Sequence, residues 1–147
     1  MTGKSSTVSD AQLISLKCHS TEVGDLVVGA QGTGIGFVPK RVYYLYDIPA
    51  AAERGGHAHR ELQQVIVALA GAFDVVLFDG VRERVIRLNQ PNAGLKLAPG
   101  LWRELKGFSG GAICLVLASS PYDEEDYIRR ITDFKKWKVQ SQGIAKK

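Results

Sequence analysis

The 147-residue chain carries a formal charge of +4, with 45% hydrophobic and 23% charged residues, the balance of one globular domain able to bury a sizeable core. It contains no run of eighteen apolar residues, and its first ten are polar and Ser/Thr-rich without the apolar stretch of a signal peptide, so no membrane span and a cytoplasmic protein are expected. Part of the charge lies in Lys135, Lys136, Lys138, Lys146 and Lys147 near the end, a modest excess that favours anionic ligands such as phosphates over nucleic acid.

In chain order, residues 1–10 are expected to be disordered, residues 11–140 to form a single domain, and residues 141–147 to be a flexible tail. Leu13, Ile14 and Leu16 mark a first strand, and Asp25 to Ala30 a second. Gln31 to Phe37 is glycine-rich but lacks the Gly-Lys-Ser/Thr ending of a phosphate loop, and no helical pattern follows it, so it reads as a flexible turn. Arg41 to Tyr46 is aromatic and β-branched, a strong strand signal. Alternation places Arg41, Tyr43 and Leu45 on one face and Val42, Tyr44 and Tyr46 on the other. One face of a barrel strand looks inward, so Tyr43 or Tyr44 is a cavity candidate.

Gln64 to Leu69 and Phe73 to Phe78 form the next two strands around a turn at Gly71, and Asp79-Gly80 is a hairpin signal leading into Arg82 to Leu88. Leu95 to Leu97 and Leu101 to Leu105 follow on either side of Pro99-Gly100. Ala112 to Ala118 is an almost unbroken apolar run, which suits a central strand. Cys114 lies within it and reads as a buried apolar residue; with Cys18 far away, no disulfide framework is implied. Beyond Pro121, Asp123 to Asp126 reads as an acidic helix start. Ile128, Ile131, Phe134 and Trp137 then recur every three residues, as on one helical face, and Thr132-Asp133 is a point where a second short helix can begin. About nine short strands separated by Gly, Pro and Asx turns predict an all-β barrel or jelly roll with a short C-terminal helical tail.

The stretch with most chemical content is Arg54-Gly55-Gly56-His57-Ala58-His59, which holds two of the three histidines. Side chains two apart on a strand project to the same face, so His57 and His59 act together. Imidazole exchanges protons near neutrality and also binds metals. Two glycines before the pair leave room for backbone or ligand to approach.

This stretch and the later Pro99-Gly100-Leu101-Trp102-Arg103 resemble the two cupin motifs. In the first, Gly55 or Gly56 precedes His57-Ala58-His59, and Gly71 closes the motif at the right interval. Gln63 and Gln64 stand where cupins carry a glutamate, and Arg103 stands near their last histidine. Gln is a poor metal ligand and Arg is never deprotonated, so no metal site is expected and the histidines are left for acid–base work. More specifically, the chain resembles the sugar nucleotide 3,4-ketoisomerases over roughly residues 10 to 137. The resemblance rests on Arg41-Val42-Tyr43-Tyr44, on the Arg54 to His59 stretch, on Val116 to Ser119, and on Pro121 to Ile128. The related 3,5-epimerases use a His/Asp dyad for which the sequence offers no convincing match.

The resemblance implies a cupin-type jelly roll and an isomerase that converts dTDP-4-keto-6-deoxyglucose to its 3-keto isomer through an enediol. His57 is then the base at C3, and His59 orients it or shuttles the proton. Tyr43 or Tyr44 hydrogen-bonds the sugar or serves as acid. Arg41 and Arg54 meet the pyrophosphate, while Trp102 and Arg103 line the mouth. No cofactor is required, because the redox change stays within the sugar. The partner is a dTDP-linked 4-keto-6-deoxy sugar, and the chain is expected to form a homodimer. Two alternatives stay open at this point: a metal-dependent cupin enzyme, and a non-catalytic nucleotide-sugar binding protein.

Overall fold

The computed structural model describes residues 3–145. The strands are β1 (Gln12–Ser15), β2 (Lys17–Thr21), β3 (Gly24–Val28), β4 (Arg41–Leu45), β5 (Arg54–His59), β6 (Gln64–Ala70), β7 (Phe73–Phe78), β8 (Glu83–Leu88), β9 (Ala93–Leu97), β10 (Trp102–Lys106), β11 (Ile113–Ala118) and β12 (Tyr127–Ile128), and one helix, α1 (Ile131–Ala145), follows. They form two five-stranded antiparallel sheets, ordered β1-β9-β6-β11-β4 and β12-β5-β10-β7-β8, with β2 and β3 as a separate hairpin. This is the jelly-roll arrangement that the spacing of short strands predicts.

The main core lies between the sheets, where Ile66 and Val116 from one meet Val75, Leu77 and Leu105 from the other. β6 and β11 read as continuous apolar runs because both of their faces are covered. Val65, Val67 and Leu117 turn the other way and pack against Leu16, Ile35 and Phe37. The Gln31 to Phe37 segment, expected to be a flexible turn, is therefore a cover for the outer face of β6. Ile35 is fully buried in it, and burial of such a side chain contributes about 1.5–3 kcal/mol.

On the second sheet the outer face is covered by α1. Phe134 packs with Ala58, Trp102 and Ile128. The acidic segment after Pro121 is not a helix start. Asp123 caps a single 3-10 turn over Glu124–Asp126, its side chain accepting from the Glu125 amide at 3.0 Å, and the chain then re-enters the sheet as β12 beside β5. Ile128 is thus a strand residue, and one helix of 15 residues begins at Ile131.

Residues 3–10, expected to be disordered, form two short 3-10 turns held by distant partners. Val8 donates its amide to Asp79 Oδ2 at 2.9 Å. Arg84 donates to the carbonyls of Val8 and Ala11. Lys138, on α1, is buried and donates to the carbonyls of Gly3, Ser6 and Gly100 at 3.2, 2.7 and 2.9 Å. Of the expected flexible tail, residues 146–147 lie outside the described residues, and the backbone of 141–145 continues as helix.

Lys138→Met keeps most of the stem's packing but leaves three carbonyls without their charged donor. It is expected to cost about 2–4 kcal/mol in urea unfolding, as loss of buried charge-assisted bonds does, and to open the N-terminal segment to limited proteolysis. An unchanged urea midpoint contradicts the role given to this lysine.

Candidate active site

The site is built on β5 and its two neighbours. β5 pairs with β10 through Arg103 opposite His57 and Leu105 opposite Arg54. Two steps on β10 therefore match three on β5, which is a β-bulge, and Gly55 takes it up with φ +79°, a conformation glycine adopts freely. On a regular strand, Arg54 and His57 would face opposite ways. The bulge puts both on the inner side, with His59 following by alternation.

The inner face opens onto a cavity of about 460 Å³, lined among others by Arg41, Tyr43, Arg54, His57, Gln64 and Arg103. His59, fully buried, lines a smaller recess of about 240 Å³ that shares Arg41 and Tyr127 with the cavity. The two imidazoles meet edge to face with ring centroids 4.9 Å apart. Tyr127 stacks on both, at 5.2 Å from His57 and 4.3 Å from His59. Arg129 lies over the Tyr127 ring at 4.2 Å and is held there by two bonds to the Glu124 carboxylate.

Electrostatics keep both histidines neutral. Burial, then the charges of Arg103, Arg129 and Arg41, lower His57 to about 3. Burial and Arg103 also lower His59, with His57 adding to the effect. Yet His59 Nδ1 lies 3.0 Å from Asp126 Oδ2. A carboxylate accepts, so the ring proton sits on Nδ1 and the Nε2 lone pair is left free. That Nε2, like His57 Nε2, is buried without a hydrogen-bond partner. Asp126 is itself anchored by the amides of Glu61 and Leu62.

Arg103 is 2% exposed, and burial brings it down only to about 10, so it stays charged at neutral pH. Its Nε and Nη2 donate to the Leu101 carbonyl at 3.2 and 3.1 Å, and its Nη1 to Gln64 Oε1. Gln64 Nε2 in turn donates to the Tyr43 hydroxyl at 3.2 Å. Among the described residues no group of three or more His, Cys, Asp or Glu is placed to hold a metal ion. The cavity offers one neutral imidazole backed by a second, a phenol and several guanidinium groups, a set suited to moving a proton on an anionic substrate.

The family model described as FdtA: WxcM-like, C-terminal matches residues 9–139. The chain belongs to the FdtA family. Among members and relatives, the TDP-4-oxo-6-deoxy-alpha-D-glucose-3,4-oxoisomerase of Aneurinibacillus thermoaerophilus is 44% identical over 126 residues, which span 86% of this chain and 91% of that protein. QdtA, a sugar 3,4-ketoisomerase from Thermoanaerobacterium thermosaccharolyticum in complex with TDP, is 35% identical with a TM-score of 0.87, covering 92% of this chain and 98% of QdtA. A histidine-to-asparagine variant of QdtA has been determined in complex with TDP-4-keto-6-deoxyglucose, with 34% identity, a TM-score of 0.87, and coverage of 91% and 97%.

Within this FdtA-family barrel, His57, Tyr43, Arg41, Arg54 and Arg103 converge on one cavity, and His59 stands directly behind His57. Two expected site residues lie elsewhere. Tyr44 is on the outer face of β4 and 61% exposed, as its neighbour Tyr43 turns inward. Trp102 does not line the cavity. It alternates with Arg103 on β10 and is buried under α1 against Phe134, ring centroids 5.8 Å apart. Tyr127 and Arg129 also line the cavity, and Asp126 holds His59 from behind; these three are not among the site residues expected from the sequence. A His–Asp pair is present after all, joining residues 67 apart in sequence. The acidic segment that supplies it carries the sequence signature of a helix start, which conceals its return to β5.

The neutral histidines make a stability prediction. In the unfolded chain they protonate near 6.5, whereas the folded site refuses the proton until far lower pH. Unfolded chains thus bind more protons between these limits, so stability is present above about 6.5 and is lost as pH falls towards 3, by about 1.4 kcal/mol per pH unit for each histidine. The urea midpoint is expected to fall from pH 7 to pH 5, and to fall less in His57→Asn. A midpoint that ignores pH in this window contradicts the assignment.

Proposed function

We propose that this chain is a sugar nucleotide 3,4-ketoisomerase acting on dTDP-4-keto-6-deoxyglucose, with His57 as the base. The observation that carries the reading is an unprotonated imidazole on the wall of a cationic cavity, backed by a second imidazole whose tautomer Asp126 fixes. Relatives named as a 3,4-oxoisomerase and a 3,4-ketoisomerase, the latter, QdtA, bound to TDP and, as a variant, to the ketosugar itself, support the substrate class.

The chemistry follows from the groups present. The C3 hydrogen lies α to the C4 ketone and is acidic once the resulting oxyanion is stabilised. His57 takes that proton, and O4 receives one as the enediol forms. A proton then returns to C4 while the O3 proton leaves, so a C3–H and a C4 ketone become a C3 ketone and a C4–H with no net gain or loss. His59 can pass protons between the oxygens through its free Nε2. Tyr43 faces the same cavity and supplies a hydrogen bond to the developing oxyanion. Arg41, Arg54 and Arg129 favour the pyrophosphate. Its negative charge offsets the arginine field on His57, so the imidazole becomes a stronger base when substrate is bound.

The same reading makes the protein a homodimer. The outward face of β4, with Val42, Tyr44 and Tyr46 exposed, is the apolar surface that a second copy would cover.

His57→Asn is expected to lower kcat by about 10³-fold, in the range for loss of a positioned base, with TDP affinity kept within a few fold. Deuterium from D2O is expected to enter the sugar ring with the wild-type protein and not with this variant. Because His57 keeps its base form down to about pH 3, kcat/KM is expected to show no inflection near 6.5. Wild-type turnover by the variant, read by product NMR, refutes the assignment.

A further inference from the structure

Gln64 occupies a position where one hydrogen-bonding direction is forced. Arg103, buried beside it, has only N–H donors. The Gln64 side chain must therefore turn its oxygen towards Arg103, which leaves its NH2 on the other side. That NH2 lies 3.2 Å from the Tyr43 hydroxyl oxygen, and a donor there obliges the phenol oxygen to accept. The Tyr43 proton cannot point back at Gln64, so it points elsewhere. Tyr43, on β4 of one sheet, lines the same cavity as His57, on β5 of the other, and that cavity is where its proton is free to be donated.

We propose that Gln64 is a positioning residue that holds Tyr43 as a hydrogen-bond donor to the oxygen on which charge develops during isomerisation. The proposal rests on the ketoisomerase reading for the identity of that oxygen, but the direction of the hydroxyl follows from the side chains alone. The arrangement also carries positive polarity outward, from the fixed charge of Arg103 through the amide dipole to the phenol. Arg103 and Gln64 favour the phenolate, against the burial that raises the Tyr43 hydroxyl. A carboxylate in place of this amide would behave in the opposite way. It would accept from Arg103 and also from Tyr43, turning the hydroxyl inward and leaving the substrate oxygen facing a lone pair. The identity of one atom, nitrogen or oxygen, thus decides whether Tyr43 helps or opposes the reaction.

The test is Gln64→Glu, nearly identical in shape and able to keep the contact with Arg103. The variant is expected to fold with unchanged or raised thermal stability and to bind TDP within about threefold of the wild type. Its kcat is expected to fall about 10²-fold, the loss seen when one donor to a developing oxyanion is removed, with KM for the ketosugar little changed. Tyr43→Phe is expected to lose a similar factor, and the double variant no more than either. Gln64→Met, which keeps volume and removes the donor, covers the case in which the carboxylate variant does not fold and is expected to lose activity likewise. Wild-type kcat in Gln64→Glu, or losses that multiply in the double variant, overturn the proposal. A readout independent of turnover is the titration of Tyr43 by 13C-tyrosine NMR, which is expected to move to higher pH in Gln64→Glu. If it moves while even the wild type leaves the ketosugar unchanged, the placement of the hydroxyl stands and the ketoisomerase reading falls. If it does not move, the placement is wrong.

Discussion

A guanidinium buried inside the barrel is the constraint on which the rest of the site depends. Removing a permanent cation from water is costly unless its donors are met. Arg103 meets them with the Leu101 carbonyl and the Gln64 oxygen. With that charge in place, it adds to the burial that holds the neighbouring imidazoles neutral, the amide of Gln64 has one allowed orientation, and Tyr43 receives a hydrogen bond. A fixed cation there also works against a divalent ion between the histidines, at the corner where the cupin pattern carries its last histidine. The barrel is thereby suited to moving protons.

The backbone brings these groups together by two devices. The bulge at Gly55 allows Arg54 and His57 to share a face, and strict alternation then carries Ala58 outward to α1 and His59 inward. The C-terminal segment is the second device. After leaving the first sheet at β11 it crosses over, pairs as β12 with β5, and delivers Asp126 and Tyr127 behind the histidines. The catalytic wall is therefore shared between the barrel and its extension, and α1 seals the reverse side of the same strand.

Much of this was legible in the residues. The alternation along Arg41 to Tyr46 separated Tyr43 from Tyr44, and the His57/His59 spacing placed both rings on one face. The same rule sends the side chains of Trp102 and Arg103, neighbours on one strand, to opposite faces, so the outward course of Trp102 is readable from Arg103 pointing inward. Asp126 was beyond such reasoning. Its partner is far away in sequence, and an acidic run before an apolar period reads as a helix start until the pairing of Tyr127 with His59 is known. The cover formed by Ile35 and Phe37 was hidden for a similar reason, because glycines disguised a segment whose role is set by the sheet beneath it. The N-terminal turns were hidden too, since each of their anchors, Asp79, Arg84 and Lys138, comes from another part of the chain.

Those anchors have a consequence for how the molecule is made. Gly3 and Ser6 are tied down by a side chain more than 130 positions later. A ribosome adding about 5–20 residues each second needs roughly ten seconds to produce that partner. The Gly3 to Ser6 turn therefore waits for its charged anchor until every strand of both sheets has left the peptidyl-transferase centre.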